Sequence, residues 1–411
     1  MRQPMPAFDT LNVTLAWHDF QDYRLWTIAQ MFGAMDKTVR RYDDRPLIMY
    51  YGGSLHHSAH QLSVYNVGLG LLKKYGGVLD VTCFEDPVPA EIGSGIVRSY
   101  GVPLMCEAWQ IPPPLRDHRR LFFQAFALGA KSYQLVGDWA NMEMPVAEFQ
   151  RTAEVFKEMA AAEPLRAPVA GLISYRTIMS FIPARNYINP TLALVPKLQE
   201  HQYSLDWRSD MGPLNLEGYP ALLDANSEVL AGEVIEQLGN YVEQGGRLAL
   251  LVRSGRYALE DGRPEYPLLT RLQCPNPNST EVETWTLGQG QVLRVGQDQD
   301  WSTDAGLQTL LRLMDFLQVQ RPISATPGVL AALSRGAGDI LYATVFNPVD
   351  VAQETTLSIA SGILPSGKEY HCSDLFTPET APTSTISGSL ESGFPISLSP
   401  YQLCVLKLTP K

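Results

Sequence analysis

Acidic and aromatic side chains follow short apolar runs at several points in the first third of the chain. The clearest case is the segment 102–109, Val-Pro-Leu-Met-Cys-Glu-Ala-Trp, which carries the carboxylate Glu107 near its end and Trp109 two residues later. A strand of this kind is buried along most of its length in a parallel sheet, and the chemistry of such folds takes place where the strands end. Glu107 is therefore the leading candidate for a catalytic residue. The alternative is an acid that only begins a loop.

Three further segments share this pattern of an apolar run followed by polar or aromatic residues. The residues concerned are Tyr50 and Tyr51 after the run 45–49, Glu85 and Asp86 after 79–84, and Asp138 and Trp139 after 131–137. Carboxylates for the reaction and aromatic faces for the apolar side of a pyranose are typical of a sugar site. The pattern predicts that Trp109 and Trp139 are sugar platforms and that the other five residues, Tyr50, Tyr51, Glu85, Asp86 and Asp138, contact hydroxyl groups. For the three acids, solvation of a loop is the alternative.

Each apolar run is followed by a stretch of helical periodicity, which gives four strand–helix units of about 25 to 30 residues each. The predicted helices cover residues 60–75, 90–100, 116–130 and 146–162. This repeat is typical of a (β/α)8 barrel or a doubly wound sheet, and four units make half of an eightfold barrel.

Residues 19–41, ahead of the first unit, are predicted to form one amphipathic helix. Its apolar positions recur at roughly helical spacing and are predicted to pack in the core; they are Phe20, Tyr23, Trp26, Ile28, Met31, Met35 and Val39. A helix in this place precedes a strand, and no earlier strands are visible in the sequence. Either the barrel is incomplete or its first half comes from another chain.

The order and spacing of these segments resemble those of the β-galactosidases of glycoside hydrolase family 42. Residues 15–20, Leu-Ala-Trp-His-Asp-Phe, resemble the start of the helix after the family's acid/base strand, and residues 46–51 and 80–87 resemble its fifth and sixth strands. The segment 103–109 resembles the nucleophile strand, with Glu107 at the nucleophile position. The residues between Arg119 and Trp139 resemble the helix and eighth strand that follow. The resemblance implies an α/β fold in which residues 1–163 form the C-terminal half of a (β/α)8 barrel.

The chain departs from the family at the second catalytic carboxyl group. Retaining glycosidases need two carboxyl groups about 5 to 5.5 Å apart, one as nucleophile and one as acid/base. The family takes the acid/base from an Asn-Glu pair at the end of its fourth strand, and no such pair precedes Glu107 here. We therefore expect this chain, taken alone, to be a poor or inactive hydrolase.

Two further domains are predicted after the barrel segment. Prolines interrupt the helical pattern at 161–168, and residues 164–324 again alternate strands with helices, which resembles the amidotransferase-like domain that family 42 enzymes use for trimerisation. Amidotransferase chemistry needs a cysteine on a tight glycine turn, whereas Cys274 lies between Gln273 and Pro275, so this domain is predicted to be structural. Residues 325–411 show short alternating strands and predict a small antiparallel β-sandwich.

Composition limits the partners. The net charge is −11 and the pI about 5.2, which disfavours nucleic acid and anionic membranes as partners. No signal peptide or long apolar run is visible, so a cytoplasmic location is expected. Five cysteines lack paired spacing, and His56, His57 and His60 have no carboxylate or cysteine at ligand spacing, so neither a metal nor a cofactor is predicted.

Two functions of different classes remain open. The first is the nucleophile-bearing part of a retaining β-glycosidase that acts on a carbohydrate as a homotrimer, with an N-terminal half-barrel supplied by a partner or a missing segment. The second is a non-catalytic sugar-binding or scaffolding protein with the same architecture.

Overall fold

The computed structural model describes residues 10–11, 13–44, 48–49, 81–84, 87–101, 103–109, 115–136, 146–182, 185–211, 214–363, 369–376, 384–386 and 393–411. Within these ranges the chain has an α/β architecture followed by an all-β region. None of the helices in these ranges is long and apolar enough to span a bilayer.

A four-stranded parallel sheet lies in the N-terminal region. Its strands, in spatial order, are Ile48–Met49, Val81–Phe84, Leu104–Trp109 and Ser132–Val136. Helices Pro87–Ser99, Leu115–Leu128 and Val146–Met159 follow the last three strands. The predicted strand–helix alternation is confirmed for these units, and the predicted helix 60–75 lies outside the described residues.

The helix Leu15–Val39 precedes this sheet and begins four residues earlier than the sequence predicted. Its N-terminus is capped by Thr14, whose Oγ1 accepts a hydrogen bond from the Trp17 amide at 3.3 Å. The prediction of which side of this helix faces the core was wrong. Most of the predicted core stripe is exposed, namely Phe20, Tyr23, Trp26, Met31 and Met35. The buried residues are instead Trp17, His18, Gln21, Leu25 and Ala29.

A six-stranded sheet forms the centre of the molecule. In spatial order its strands are Val282–Leu287, Gly290–Val295, Arg247–Leu250, Ala221–Asp224, Val169–Ile173 and Asp206–Ser209. The first strand is antiparallel to its neighbour and the other five run parallel. When the five parallel strands are numbered in chain order, their spatial order is 2-1-3-4-5, as in one class of doubly wound fold. Apolar side chains are buried on both faces of the sheet.

Helices and short strand pairs complete this central region. The helices are Tyr175–Ser180, Arg185–Glu200, Gly232–Glu243, Pro267–Arg271 and Asp304–Phe316. The short pairs are Thr10–Leu11 with Phe181–Ile182 and Val229–Leu230 with Tyr257–Ala258.

Two antiparallel sheets at the C-terminus share one apolar core. One contains Ile323–Ser324, Gln353–Ile359 and Phe394–Leu398, and the other contains Ser384–Ile386, Tyr370–Asp374, Leu403–Pro410, Leu341–Phe346, Leu330–Arg335 and Glu163–Pro164. A short 3-10 helix spans Ala337–Asp339. The antiparallel strands predicted after residue 325 are therefore present. The larger sheet also recruits Glu163–Pro164, which pairs with Arg335 and Ser334, so the predicted boundary at 163 falls inside one of its strands.

The N-terminal units pack tightly against both other regions. Helix Pro87–Ser99 lies against the edge strand Asp206–Ser209, where Gly95 approaches so closely that a Cβ would stand 2.5 Å from the Trp207 amide nitrogen. On another side, three phenylalanines of helix Leu115–Leu128 share a core with Tyr342, Phe346 and Leu403 of the sandwich; they are Phe122, Phe123 and Phe126.

Candidate active site

Glu107 lies in the second half of a strand that is buried in its first half. Leu104, Met105 and Cys106 have almost no solvent exposure, and burial raises the pKa of the Cys106 thiol to about 12, so this thiol stays protonated. The strand is parallel to both its neighbours, and Glu107 is in register with Gln134. The backbone thus carries Glu107 toward the carboxyl edge of the sheet, the edge at which parallel folds place their chemistry.

The other predicted site residues are at the end of a strand or follow one in sequence. Trp109 is the last residue of the Glu107 strand. The remaining predicted residues, Tyr50, Tyr51, Glu85, Asp86, Asp138 and Trp139, lie outside the described residues. Neighbouring strands end at Met49, Phe84 and Val136, directly before or close to them in sequence. The roles assigned to these side chains therefore remain predictions.

The helix that follows the Glu107 strand is held firmly. Arg119 donates to both carboxylate oxygens of Glu148, from Nε to Oε1 at 2.6 Å and from Nη2 to Oε2 at 2.8 Å. A third bond, from Arg119 Nη1 to the Tyr401 carbonyl at 3.2 Å, reaches the C-terminal sandwich. A bidentate arginine pair of this kind fixes orientation as well as charge. It supports the scaffold under the predicted site.

A second group of acids, which the sequence did not single out, lies at the carboxyl edge of the central sheet. Asp210 accepts hydrogen bonds from Ser174 Oγ and from the Tyr175 amide, both at 2.6 Å. Asp224 accepts from the Ser227 amide at 3.1 Å. Burial raises the pKa of both carboxyl groups, that of Asp224 to about 6. In hindsight the signal was the single acid that ends the run Ala-Leu-Leu-Asp at 221–224.

The chemistry of this second group is structural. Both acids are buried. Asp210 accepts one hydrogen bond on each carboxylate oxygen, from Ser174 Oγ and from the Tyr175 amide, whereas Asp224 accepts one on Oδ1 and its buried Oδ2 has no hydrogen-bond partner among the described residues. The one cysteine of the central region, Cys274, has its pKa raised by burial and stands in a loop, not on a strand-to-helix turn. Amidotransferase chemistry needs its cysteine on a strand-to-helix turn, so the structural role of this region stays a prediction that rests on the place of Cys274.

The N-terminal helix docks beside these acids through buried polar contacts. Trp17 Nε1 donates to the Met179 carbonyl at 2.6 Å, and His18 Nε2 lies 3.0 Å from Ser180 Oγ. Asp22 forms a bidentate pair with Arg176 at 2.8 and 3.0 Å. Burial, assisted by the Arg176 charge, lowers the pKa of His18 to about 3, so the imidazole is neutral at pH 7. These contacts lock the helix to the central region.

A cleft of about 490 Å³, counted with its open mouth, lies where all three regions meet. Its polar wall contains Glu91, Arg166 and Ser204, and its apolar wall includes Phe123 and Ile323. Arg166 donates to Glu91 and to Ser204, so its charge is already neutralised within the protein. The cleft is best explained as a packing junction.

Comparison with known proteins supports the fold and its resemblance. No protein-family model matches the chain, and no curated protein sequence matches it. Solved structures do match. The β-galactosidase from Bacillus circulans sp. alkalophilus superposes with a TM-score of 0.66 at 15% identity, covering 95% of this chain and 68% of that one. The β-galactosidase from Halorubrum lacusprofundi gives 0.64 at 15% identity, covering 99% and 70%.

A third similar structure is the GH42 exo-carrageenase from Bacteroides ovatus, with a TM-score of 0.58 at 12% identity and coverage of 97% of this chain and 57% of that one. Among the first five similar structures, which are β-galactosidases and this carrageenase, the chain spans 57% to 70% of the neighbour's length. The chain therefore has an α/β fold with mixed sheets like that of the GH42 β-galactosidases. The family resemblance predicted from its residues is confirmed at the level of the fold.

Proposed function

We propose that this chain is the nucleophile-bearing part of a retaining β-glycosidase of the β-galactosidase type. One observation carries the proposal: Glu107 stands toward the carboxyl end of a strand that is paired in parallel on both sides, in a fold shared with GH42 β-galactosidases. The N-terminal sheet then represents the second half of a (β/α)8 barrel, and the carbohydrate occupies its carboxyl edge.

The reaction follows from one carboxylate and the geometry of a sugar. Glu107 attacks the anomeric carbon, the bond from that carbon to the leaving oxygen breaks, and a glycosyl ester forms on Glu107. A second carboxyl group normally protonates the leaving oxygen and then takes a proton from the water that hydrolyses the ester. Tyr50, Tyr51, Glu85, Asp86 and Asp138 are proposed as hydroxyl contacts, with Trp109 and Trp139 as platforms. None of them is proposed as the acid/base.

A substrate with a very good leaving group tests the nucleophile without the acid/base. Incubation of the chain with 2,4-dinitrophenyl β-galactoside should give a glycosyl adduct on Glu107, since departure of dinitrophenolate needs no proton. The Glu107→Gln variant should give no adduct while its thermal unfolding stays unchanged. Glu154→Gln, which changes an exposed acid on a surface helix, is the matched control and should label fully. Equal labelling of the Glu107→Gln variant by mass spectrometry would refute the assignment.

The sequence predicts a structural role for the central region, and we propose that it supplies the interface of a homotrimer. Light scattering of the purified chain should report three copies per particle. A monomer at micromolar concentration would contradict this proposal.

The second candidate function is a non-catalytic sugar-binding protein. The observation in its favour is the missing Asn-Glu pair before Glu107. Calorimetric binding of galactose by a chain that forms no adduct with the dinitrophenyl glycoside would favour it over the first.

A further inference from the structure

Arg119 connects three parts of the molecule through one guanidinium group. It is the fifth residue of helix Leu115–Leu128, and it donates to both carboxylate oxygens of Glu148, at 2.6 and 2.8 Å. Glu148 is the third residue of the next helix, Val146–Met159. The remaining terminal nitrogen, Nη1, donates to the Tyr401 carbonyl in the sandwich at 3.2 Å. One side chain therefore joins the helices of two neighbouring strand–helix units and ties both to the C-terminal sandwich.

The Arg119 contacts lie on the side of the N-terminal sheet where its strands end. In a strand–helix unit, the helix begins near the carboxyl end of its strand and runs back along the sheet. Arg119 and Glu148 each lie within the first two turns of their helices, so they are on the same side of the sheet as the end of the Glu107 strand. At that end, Trp109 is paired with Val136 of the neighbouring strand. The two units are thus linked twice at this edge, once by strand pairing and once by the Arg119–Glu148 pair.

The local surroundings keep this guanidinium in one place. Only 24% of the Arg119 side chain and 18% of the Glu148 side chain are exposed, so water competes weakly for either group. Two parallel N–H···O bonds fix the angle between the partners as well as their distance, which a single ammonium contact does not. The carbonyl acceptor is fixed too, because Tyr401 has φ +55 and its amide donates to the Val349 carbonyl at 3.2 Å. The guanidinium therefore holds the two helices at a defined distance and angle.

From this placement we infer that Arg119 is a positioning residue for the reaction of Glu107. It holds the helix that follows the Glu107 strand against the neighbouring unit, and so keeps the backbone at Glu107 in a fixed place relative to a sugar at the carboxyl edge. This inference rests on the proposed function, because it concerns the same site. The reacting atoms must approach to about 3 to 3.5 Å, and a misplacement of about 1 Å costs roughly 100-fold in rate.

The Arg119→Lys variant tests this role in the labelling reaction with 2,4-dinitrophenyl β-galactoside. Lysine keeps the charge and one contact but loses the paired hydrogen bonds. We expect the rate constant of the dinitrophenolate burst at saturating glycoside to fall roughly 10-fold to 100-fold. The glycoside concentration that gives half of this rate should change roughly twofold or less, because the sugar contacts remain. Glu148→Gln should act in the same way, and the double variant should be no slower than the slower single variant, since the two side chains act as a unit.

Arg176→Lys is the matched control for the loss of a bidentate pair. Arg176 donates to both carboxylate oxygens of Asp22 at 2.8 and 3.0 Å, and 16% and 21% of the two side chains are exposed. This pair joins the first helix to the central region and does not link the two units at the end of the Glu107 strand. Arg176→Lys should therefore lower the thermal unfolding temperature about as much as Arg119→Lys and leave the labelling rate constant unchanged.

Three outcomes overturn the inference while the proposed function stands. They are labelling of Arg119→Lys at the parent rate, a change confined to the half-saturating concentration, and an equal loss of rate in Arg176→Lys, which would indicate general loosening. If circular dichroism shows that Arg119→Lys does not fold, Glu148→Gln, which keeps the size of its side chain, decides by the same rate constant. A parent chain that forms no adduct on Glu107 overturns the proposed function and this inference with it, so the two failures are told apart.

Discussion

The two parallel sheets of the molecule differ in how their edges are closed. In the central sheet, helix Pro87–Ser99 covers the edge strand Asp206–Ser209, and an antiparallel strand, Val282–Leu287, ends the other side. In the N-terminal sheet, no described strand lies beyond Ile48–Met49 on one side or Ser132–Val136 on the other. Because proteins normally protect sheet edges, the (β/α)8 barrel proposed above is the arrangement that would pair the edges of the N-terminal sheet.

Both sheets carry acids at the ends of parallel strands. Asp210 and Asp224 are enclosed at the carboxyl edge of the central sheet and serve its internal hydrogen bonding. Glu107 follows a buried half-strand in a sheet whose fold neighbours are glycosidases. An acid at the end of a parallel strand is therefore only a candidate for catalysis. Its burial and its hydrogen-bond partners decide between the two roles.

The largest expected effect comes from breaking the contact between the two sheets. Gly95→Val should destabilise the protein by about 3 kcal/mol or abolish folding, because the new side chain collides with the backbone at Trp207, which cannot move aside. Gly328→Ala is the control for a glycine substitution, since that site has φ +95 and no neighbour within 4 Å, and it should cost about 1 kcal/mol. Urea unfolding measures both. An equal loss in the two variants would show that Gly95 is not a contact residue.

A smaller effect is expected from the protonation of His18, which lies on the helix that joins the two regions. The pKa of His18 is lowered from 6.5 to about 3 in the folded protein, so the unfolded chain binds the proton more tightly. The contribution of neutral His18 to the free energy of unfolding should be fully present above pH 6.5 and should decrease as the pH falls toward 3. The His18→Gln variant should lose this part of the pH dependence, because its amide can donate to Ser180 without titrating. Thermal unfolding between pH 7 and pH 4 compares the two, and parallel curves would contradict the assignment.

The smallest effect concerns an acid of the central sheet, and its sign is opposite. Burial raises the pKa of Asp224 from 3.8 to about 6, so the folded protein binds this proton more tightly than the unfolded chain. Its contribution is fully present below pH 3.8 and is lost as the pH rises through 6. Asp224→Asn mimics the protonated acid and should stabilise the protein at pH 8 by about 2 kcal/mol relative to the parent. A variant that is less stable than the parent at pH 8 would refute this prediction.

The sequence predicted the alternation of strands and helices well, but it did not predict which side of the first helix is buried. Strand Leu104–Trp109 and helix Val146–Met159 follow from local patterns of apolar residues, which depend on neighbours in the chain. The first helix buries His18 and Gln21 and exposes Tyr23 and Trp26, against its apolar pattern. His18 is tolerated inside because Ser180, 162 residues away, contacts its ring. No local pattern contains that information.

The candidate site, too, was predicted only in part. The position of Glu107 at the end of an apolar run was visible in the sequence, and the parallel pairing that gives it meaning is confirmed. The acids Asp210 and Asp224 were missed, because their enclosure depends on Ser174 and Ser227 after strands that are short and unremarkable in sequence. A second carboxylate for Glu107 could not be predicted from residues 1–411 by any spacing.

The strand Glu163–Pro164 gives the molecule a mechanical property. This two-residue segment connects the N-terminal sheet to the central sheet in sequence, yet it pairs with Arg335 and Ser334, and the next amide, Leu165, donates to the Leu333 carbonyl at 2.8 Å. A connection of this kind would ordinarily act as a hinge between two bodies. Here strand Leu330–Arg335 of the C-terminal sandwich pairs with this connection, so the sandwich restricts its movement. Removing the sandwich would therefore take away one of two supports of the Glu107 sheet and leave its orientation to the contact between helix Pro87–Ser99 and strand Asp206–Ser209.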